Sequence, residues 1–279
     1  MTAHATDPRP IQRLSAVTAS GAETEDTFDQ VVVEAPLSIA VADDVLATTM
    51  RTPGHDEELA VGWLISESSI VERSELVSLH REGVAHARHQ GVEQAVDTVT
   101  LELAAGVAPP RQRAYLTSSS CGICSAEVIE ATPQPCAALQ SAGWRLNAHR
   151  AHELVAAMRG EQKMFELTGS LHAAALVSPA GELLVVREDV GRHNAVDKVI
   201  GRAFLDGKLP LTDHLLVVSG RVSYEIVAKA LRACVAGIIA VSGPTTLAVD
   251  LARVHGLVLV GFTRENRLNV YAGGGCVAP

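Results

Sequence analysis

From about residue 146 onward, short runs that are apolar throughout alternate with stretches of helical periodicity. AHELVAAMRGEQ reads as a helix. HAAALVSP and ELLVVRED read as strands around Pro179-Ala180-Gly181, a hairpin signal. GRHNAVDKVIGRAFLDG is a helix, HLLVVSG a strand and SYEIVAKALRACV a helix. GIIAVSG, TTLAVDLARVHG and LVLVGFTR repeat strand, helix and strand, and RLNVYAGG closes the chain. A strand with no polar face must be covered on both sides. Alternation with helices predicts an α/β layer containing parallel strand pairs. Composition agrees, since apolar residues are 47 % and aromatics only 3 %. Val, Ala and Leu therefore build the core, as suits α/β layers.

The first half is less regular and predicts a smaller α+β unit. Residues 1–29 are polar and small and read as a flexible tail. QVVVEAPLSIAVAD (30–43) is strand material rich in Val and Ile. Thr52-Pro53-Gly54 breaks the chain before HDEELAVGWLISES, a helix with acids in its first turn. Asp97 to Leu103 alternates as an amphipathic strand. The chain of 279 residues thus divides into a tail (1–29), an α+β subdomain (30–116), a polar cysteine loop and linker (117–145) and an α/β unit (146–279). The fold class is α/β, α+β overall.

A formal charge of −9 argues against a protein that grips a nucleic-acid backbone. Five cysteines, Cys121, Cys124, Cys136, Cys234 and Cys276, do not form a disulfide scaffold in a chain this size. No apolar run reaches the roughly 18 residues of a spanning helix, and MTAHATDPRP lacks an apolar signal core. A soluble, cytoplasmic protein without a membrane partner is expected.

Three strand ends draw attention. HLLVVSG runs into Arg221-Val222-Ser223, GIIAVSG into Pro244-Thr245-Thr246, and LVLVGF into Thr263-Arg264-Glu265-Asn266-Arg267. Ligands of open α/β sheets sit beyond the carboxyl ends of such strands. Gly220 and Gly243 allow close backbone approach. Ser223 and Thr245 can cap the following helices, whose free amides favour an anion. Arg221, Arg264 and Arg267 add forked donors suited to phosphate. Ordinary turns with surface arginines are the plain alternative. There is no Walker loop and no G-x-G-x-x-G after a strand.

REDVGRHNAVDKVIG crowds Arg187, Glu188, Asp189, Arg192, His193, Asn194, Asp197 and Lys198 into one strand-to-helix corner. It is either a structural ion-pair network or a ligand site. His172 opens an apolar strand, where a hydrogen-bonded rim histidine is the ordinary role. Cys121-Gly122-Ile123-Cys124 lies in a serine-rich segment and admits three readings. It is half of a zinc site, which lacks a second C-x-x-C; a redox pair; or a sulfur-carrying thiol with an auxiliary neighbour. A zinc deaminase is disfavoured, because Ala173-Ala174 follow His172 and Ser120 precedes Cys121, so its signature is missing.

TPGHDEELAVGWLISE, SSCGIC, TGSLHAAAL, REDVGRHNAVDKVIG, SGRVSYEIVAKA and GFTRENRLNVY occur in this order over about residues 52–271. In these stretches the chain resembles the formate dehydrogenase accessory sulfurtransferases, the FdhD family of sulfur carriers. The resemblance implies a cytidine-deaminase-like fold for the second half and a homodimer. It implies a sulfurtransferase that takes sulfur from a cysteine desulfurase and serves the formate dehydrogenase catalytic subunit. Cys121 would hold the sulfur as a persulfide and Cys124 would assist. The acceptor would be the molybdenum bis(molybdopterin guanine dinucleotide) cofactor, with GDP as its mimic and no structural metal. The family's cofactor-binding stretch falls on Phe262, Thr263, Arg264, Glu265, Asn266 and Arg267; Gly220, Arg221, Ser223 and His193 are further candidates. One departure is Ser125, where the family loop has a second glycine. Two rival functions are a dithiol oxidoreductase using Cys121 and Cys124, and a non-catalytic chaperone of the molybdenum cofactor.

Overall fold

The computed structural model of the protein describes residues 5–14, 24–67, 70–89, 92–110, 145–264 and 267–278. Strands β1 (Thr6–Leu14) and β2 (Thr24–Val32) pair antiparallel, so the described part of the expected tail is a hairpin. Its concealment in the sequence has a simple cause. Both faces meet solvent, with Phe28 69 % exposed, so neither strand carries the apolar alternation that marks a half-buried strand.

The segment expected as one strand over 30–43 divides after β2. Strand β3 (Ala35–Val41) then turns through Ala42, at φ 52°, into β4 (Asp44–Arg51). Helix α1 (Asp56–Ser66) follows, with Asp56, Glu57 and Glu58 in its first turn. Nearly every side of α1 is buried, including Leu59, Val61, Leu64 and Ile65, as expected of a helix apolar all round. Strands β5 (Leu76–His89) and β6 (Val92–Leu103) complete a sheet in the order β4-β3-β6-β5, with β3 and β6 parallel.

Strand β7 (Leu146–Asn147) leads into α2 (Ala148–Gly160), capped where the Asn147 side chain accepts from the His149 amide at 2.7 Å. After the short α3 (Lys163–Thr168) come β8 (His172–Val177), β9 (Leu183–Asp189), α4 (Arg192–Leu205), β10 (Leu215–Val218), α5 (Tyr224–Arg232), β11 (Gly237–Ala240), α6 (Thr246–His255), β12 (Val258–Arg264) and β13 (Arg267–Ala272). Strand β14 (Val277–Ala278) returns to pair with β7. The six-stranded sheet runs β13-β12-β11-β10-β8-β9, with β10, β11 and β12 parallel, so the expected α/β unit forms. No helix among the described residues is long and apolar enough to cross a membrane.

The sheet is covered on both faces, as its uniformly apolar strands require. Ala173, Ala175, Val217, Ile239 and Val260 pack against Ala151, Leu154 and Met158 of α2. On the other face, Ala174, Leu176, Leu216, Ile238 and Leu259 join residues of α1, α4, α5 and α6. That core continues without a break into Leu37, Ile39, Val99 and Leu101 of the four-stranded sheet. Helices α1 and α4 cross at two glycines. A Cβ on Gly62 would run into the Asp197 carbonyl, and one on Gly201 into the Glu58 carbonyl.

Candidate functional site

Sheet direction gathers the polar residues of several segments at one edge. Strand β8 is antiparallel to both β9 and β10, so β9 through β12 end where β8 begins. His172 opens β8 opposite Asp189, which closes β9. The loops after β10 and β11 are tied side by side. The Val222 amide donates to the Gly243 carbonyl at 3.2 Å, and the Thr245 amide to the Val222 carbonyl at 2.9 Å. Ser219 fixes the neighbouring strand by exchanging amide bonds with Ala173, while its hydroxyl also accepts from the Ala173 amide at 2.9 Å. The edge is therefore a rigid platform, suited to holding a ligand in one pose.

At the β12 end, the Phe262 ring lies over the β11 loop. A Cβ on Gly243 would come within 2.6 Å of that ring, so only glycine admits it. Phe262 itself adopts φ 51°, at an irregular register between Gly261 and Arg264. A bulky side chain in this region is strained by about 1–3 kcal/mol, and such strain concentrates at functional positions. Arg264 places its guanidinium 5.6 Å from the Phe262 ring centroid, within cation–π range. Arg264 and Arg267 face each other across the β12–β13 pair, and both are exposed. Thr263 points the opposite way and is buried; its hydroxyl has no hydrogen-bond partner among the described residues. Glu265 and Asn266 lie outside the described residues, as do Cys121 and Cys124. Of the other cysteines, Cys234 is disulfide-bonded and Cys276 is free.

Around β10, two expectations for the helix starts part company. The Thr245 hydroxyl caps α6 by accepting from the Ala248 amide at 3.4 Å. The Ser223 side chain does not cap α5. Its hydroxyl instead pairs with His193 Nε2 at 3.2 Å, and the same nitrogen lies 2.8 Å from a Glu225 carboxylate oxygen. A competing histidine at the start of α4 thus outbids the helix amides for the serine. Gly220 sits against this corner. A Cβ there would meet His172 Nδ1 at 3.3 Å and the Arg192 side chain at 3.4 Å. Burial lowers the pKa of His172 and that of Arg192. The Arg192 and Arg221 charges push His172 the same way, and Arg221 does so for Arg192. Asp189 opposes the shift at His172, and Glu225 opposes it at Arg192.

The polar corner over 187–198 resolves into two classes. Most of it is structural. Lys198 Nζ pairs with Asp189 at 2.7 Å, both fully buried, and also donates to the Thr52 carbonyl at 3.0 Å. Asn194 donates to Asp189 at 2.9 Å and to the Met50 carbonyl at 2.8 Å. Arg187 grips both carboxylate oxygens of Glu58. Glu188 accepts the Met164 and Phe165 amides at 3.0 and 2.8 Å. Asp197 accepts from Ser66 and Lys229, each at 2.7 Å. Arg187, Asp189, Asn194, Asp197 and Lys198 thus lock β9 and α4 to the β4–α1 region rather than face a ligand. Arg192 and His193 remain at the sheet edge. Sequence reasoning missed Arg192 and His172 as site residues. The signal present was a basic residue on each side of a β9-to-helix glycine, but its meaning depends on which strand lies beside β10.

A model of the FdhD/NarQ family matches residues 32–277. The chain belongs to the FdhD/NarQ family. It is 44 % identical over 259 residues to the sulfur carrier protein FdhD of Corynebacterium efficiens, covering 88 % of this chain and 90 % of that one. It is 36 % identical over 264 residues to the sulfur carrier protein FdhD of Saccharolobus solfataricus, covering 94 % and 96 %. Its fold is shared with a crystal structure from Desulfotalea psychrophila, provisionally assigned as a formate dehydrogenase accessory protein. That likeness has a TM-score of 0.70 at 23 % identity and covers 96 % of this chain and 99 % of the other.

Proposed function

We propose that this FdhD/NarQ-family protein is a sulfur carrier and sulfurtransferase. It moves sulfur from a cysteine desulfurase, through a persulfide on Cys121, to the molybdenum bis(molybdopterin guanine dinucleotide) cofactor before formate dehydrogenase receives it. The observation that carries the cofactor half of this reading is the platform at the sheet edge. There Phe262, held at φ 51° over Gly243, offers a ring face and Arg264 a guanidinium at the end of β12. Ring and fork together suit a nucleotide, with stacking and phosphate contacts from one short segment. The names of the curated relatives support the sulfur half. The protein acts as a homodimer in the cytoplasm.

In the uptake step, the Cys121 thiolate attacks the terminal sulfur of the desulfurase persulfide. The S–S bond of the donor breaks, its cysteine leaves as thiolate, and Cys121 carries the sulfur with no net change in oxidation. In release, the Cys124 thiolate attacks Cys121 Sγ and expels hydrosulfide toward the metal. The two cysteines supply both electrons and end as a disulfide, which an external thiol reduces. The platform's task is alignment, holding the dinucleotide so that the acceptor meets the sulfur in one geometry.

The test is intact-protein mass spectrometry after incubation with an active cysteine desulfurase and cysteine. Wild type gains one sulfur mass that reductant removes, and Cys121→Ala gains none. Absence of the gain in wild type overturns the carrier role and leaves a chaperone of the cofactor.

A further inference from the structure

Two guanidinium groups at the β8–β10 end of the platform have no carboxylate of their own. Arg192 and Arg221 make no ion pair among the described residues, and the Arg192 Nε is buried without a hydrogen-bond partner. Both nearby carboxylates are engaged elsewhere, Asp189 by Lys198 and Asn194, and Glu225 by His193. The balance of the corner is therefore a surplus of two positive charges on a chain whose formal charge is −9. Like charges this close repel, and a buried donor without an acceptor carries a desolvation cost. Such an arrangement is favourable only when an anion completes it.

The geometry of the corner fits a phosphate group. Gly220 brings backbone, His172 Nδ1 and the Arg192 side chain into contact, with no side chain of its own between them. Arg221 follows Gly220 directly and is exposed, so it can close over an incoming group. His172 lies between these cations and is held toward its neutral form by burial and by both arginines. A neutral imidazole can donate a hydrogen bond without adding to the repulsion.

Sheet spacing then constrains what the ligand is. β8 and β12 are separated by β10 and β11 in the sheet, which is three strand intervals. At about 4.8 Å per interval the two corners lie roughly 14 Å apart. A single phosphate cannot touch both Arg264 and Arg192. One ligand that does so is extended and carries anionic groups well away from its ring system.

We propose that His172, Arg192 and Arg221 form a phosphate-binding subsite, separate from the Phe262–Arg267 stretch, which receives an anionic group of an extended nucleotide-class ligand. This deepens the cofactor reading given above, but the subsite itself can be probed without it. The probes are inorganic diphosphate and GDP, titrated calorimetrically at low ionic strength into the full-length protein. The variants are Arg192→Gln, Arg221→Gln and Arg264→Gln, with thermal melts to check folding. Arg221 is exposed, so its variant keeps the test open should Arg192→Gln fold poorly.

Diphosphate is expected to bind wild type and Arg264→Gln alike, and at least ten-fold more weakly to the Arg192 and Arg221 variants. GDP is expected to weaken in all three. Diphosphate binding that survives Arg221→Gln unchanged would overturn the subsite, as would GDP binding that responds to Arg264→Gln but not to Arg221→Gln. If diphosphate binds through Arg192 and Arg221 while GDP does not bind wild type at all, the subsite stands and the dinucleotide reading of the platform falls.

Discussion

The Phe262 ring fills the space that a side chain at Gly243 would need, with 2.6 Å between the ring and a Cβ placed there. Gly243→Ala is therefore expected to push the ring off the β11 loop and release the positive φ at Phe262. Isothermal titration should show GDP affinity falling at least ten-fold. The melting temperature should change little, because the loss of ring packing is partly offset by relief of about 1–3 kcal/mol of backbone strain. Unchanged affinity would detach Phe262 from nucleotide binding.

The α1–α4 crossing predicts a different outcome. A methyl at Gly62 or Gly201 meets backbone that cannot move aside as a flexible side chain can. Gly62→Ala should lower stability by about 1–3 kcal/mol or more in urea unfolding, with no specific effect on ligand contacts. Stability equal to wild type would mean the helices separate more easily than their packing implies.

Removing one partner of the Lys198–Asp189 pair leaves a buried, uncompensated charge. Both side chains are at most 1 % exposed, so Lys198→Met should cost about 3–5 kcal/mol, read from the denaturation midpoint. The double variant Lys198→Met/Asp189→Asn should recover part of that loss, since it removes the stranded carboxylate. A double variant as unstable as the single would show that the pair's value lies in its other hydrogen bonds.

Glu58 ties acid sensitivity to the same region. Burial alone would raise its pKa, but hydrogen bonds from Arg187 and His55 more than reverse this and bring it to about 2. A depressed carboxylate pKa contributes stability above the unfolded value of 4.5, lost as pH falls toward 2. The contribution is on the order of 3 kcal/mol. The stability gap between wild type and Glu58→Gln should thus narrow as pH is lowered from 5 to 2 in urea titrations. A gap constant across that range would remove Glu58 from the acid response.

The parts of this fold that were legible in the sequence are those whose burial is symmetric. β10, β11 and β12 are covered on both faces, so their sequences carry no polar residue to blur the reading, and Gly220 and Gly243 mark where they end. The hairpin of β1 and β2 was hidden for the converse reason, since neither face is buried. At the site, Arg221, Phe262 and Arg264 could be placed because each directly follows or ends a parallel strand. His172 and Arg192 could not, because their nearness to Gly220 depends on β8 inserting antiparallel beside β10. Ser223 illustrates a finer loss. Its position before a helix reads as a cap, but His193, 30 residues earlier, takes its hydroxyl.

The core that runs unbroken from Leu37 and Val99 through α1 and α4 to Leu216 has a consequence for how this chain can be altered. The platform cannot be transplanted as a module. Cutting before Leu146 would strip α1 from Gly201 and Glu58 from Arg187, exposing the face on which β8 and β10 rest. Recombination between distant relatives would succeed only where both pieces are inherited together, so the architecture itself enforces co-inheritance of the two ends of the chain.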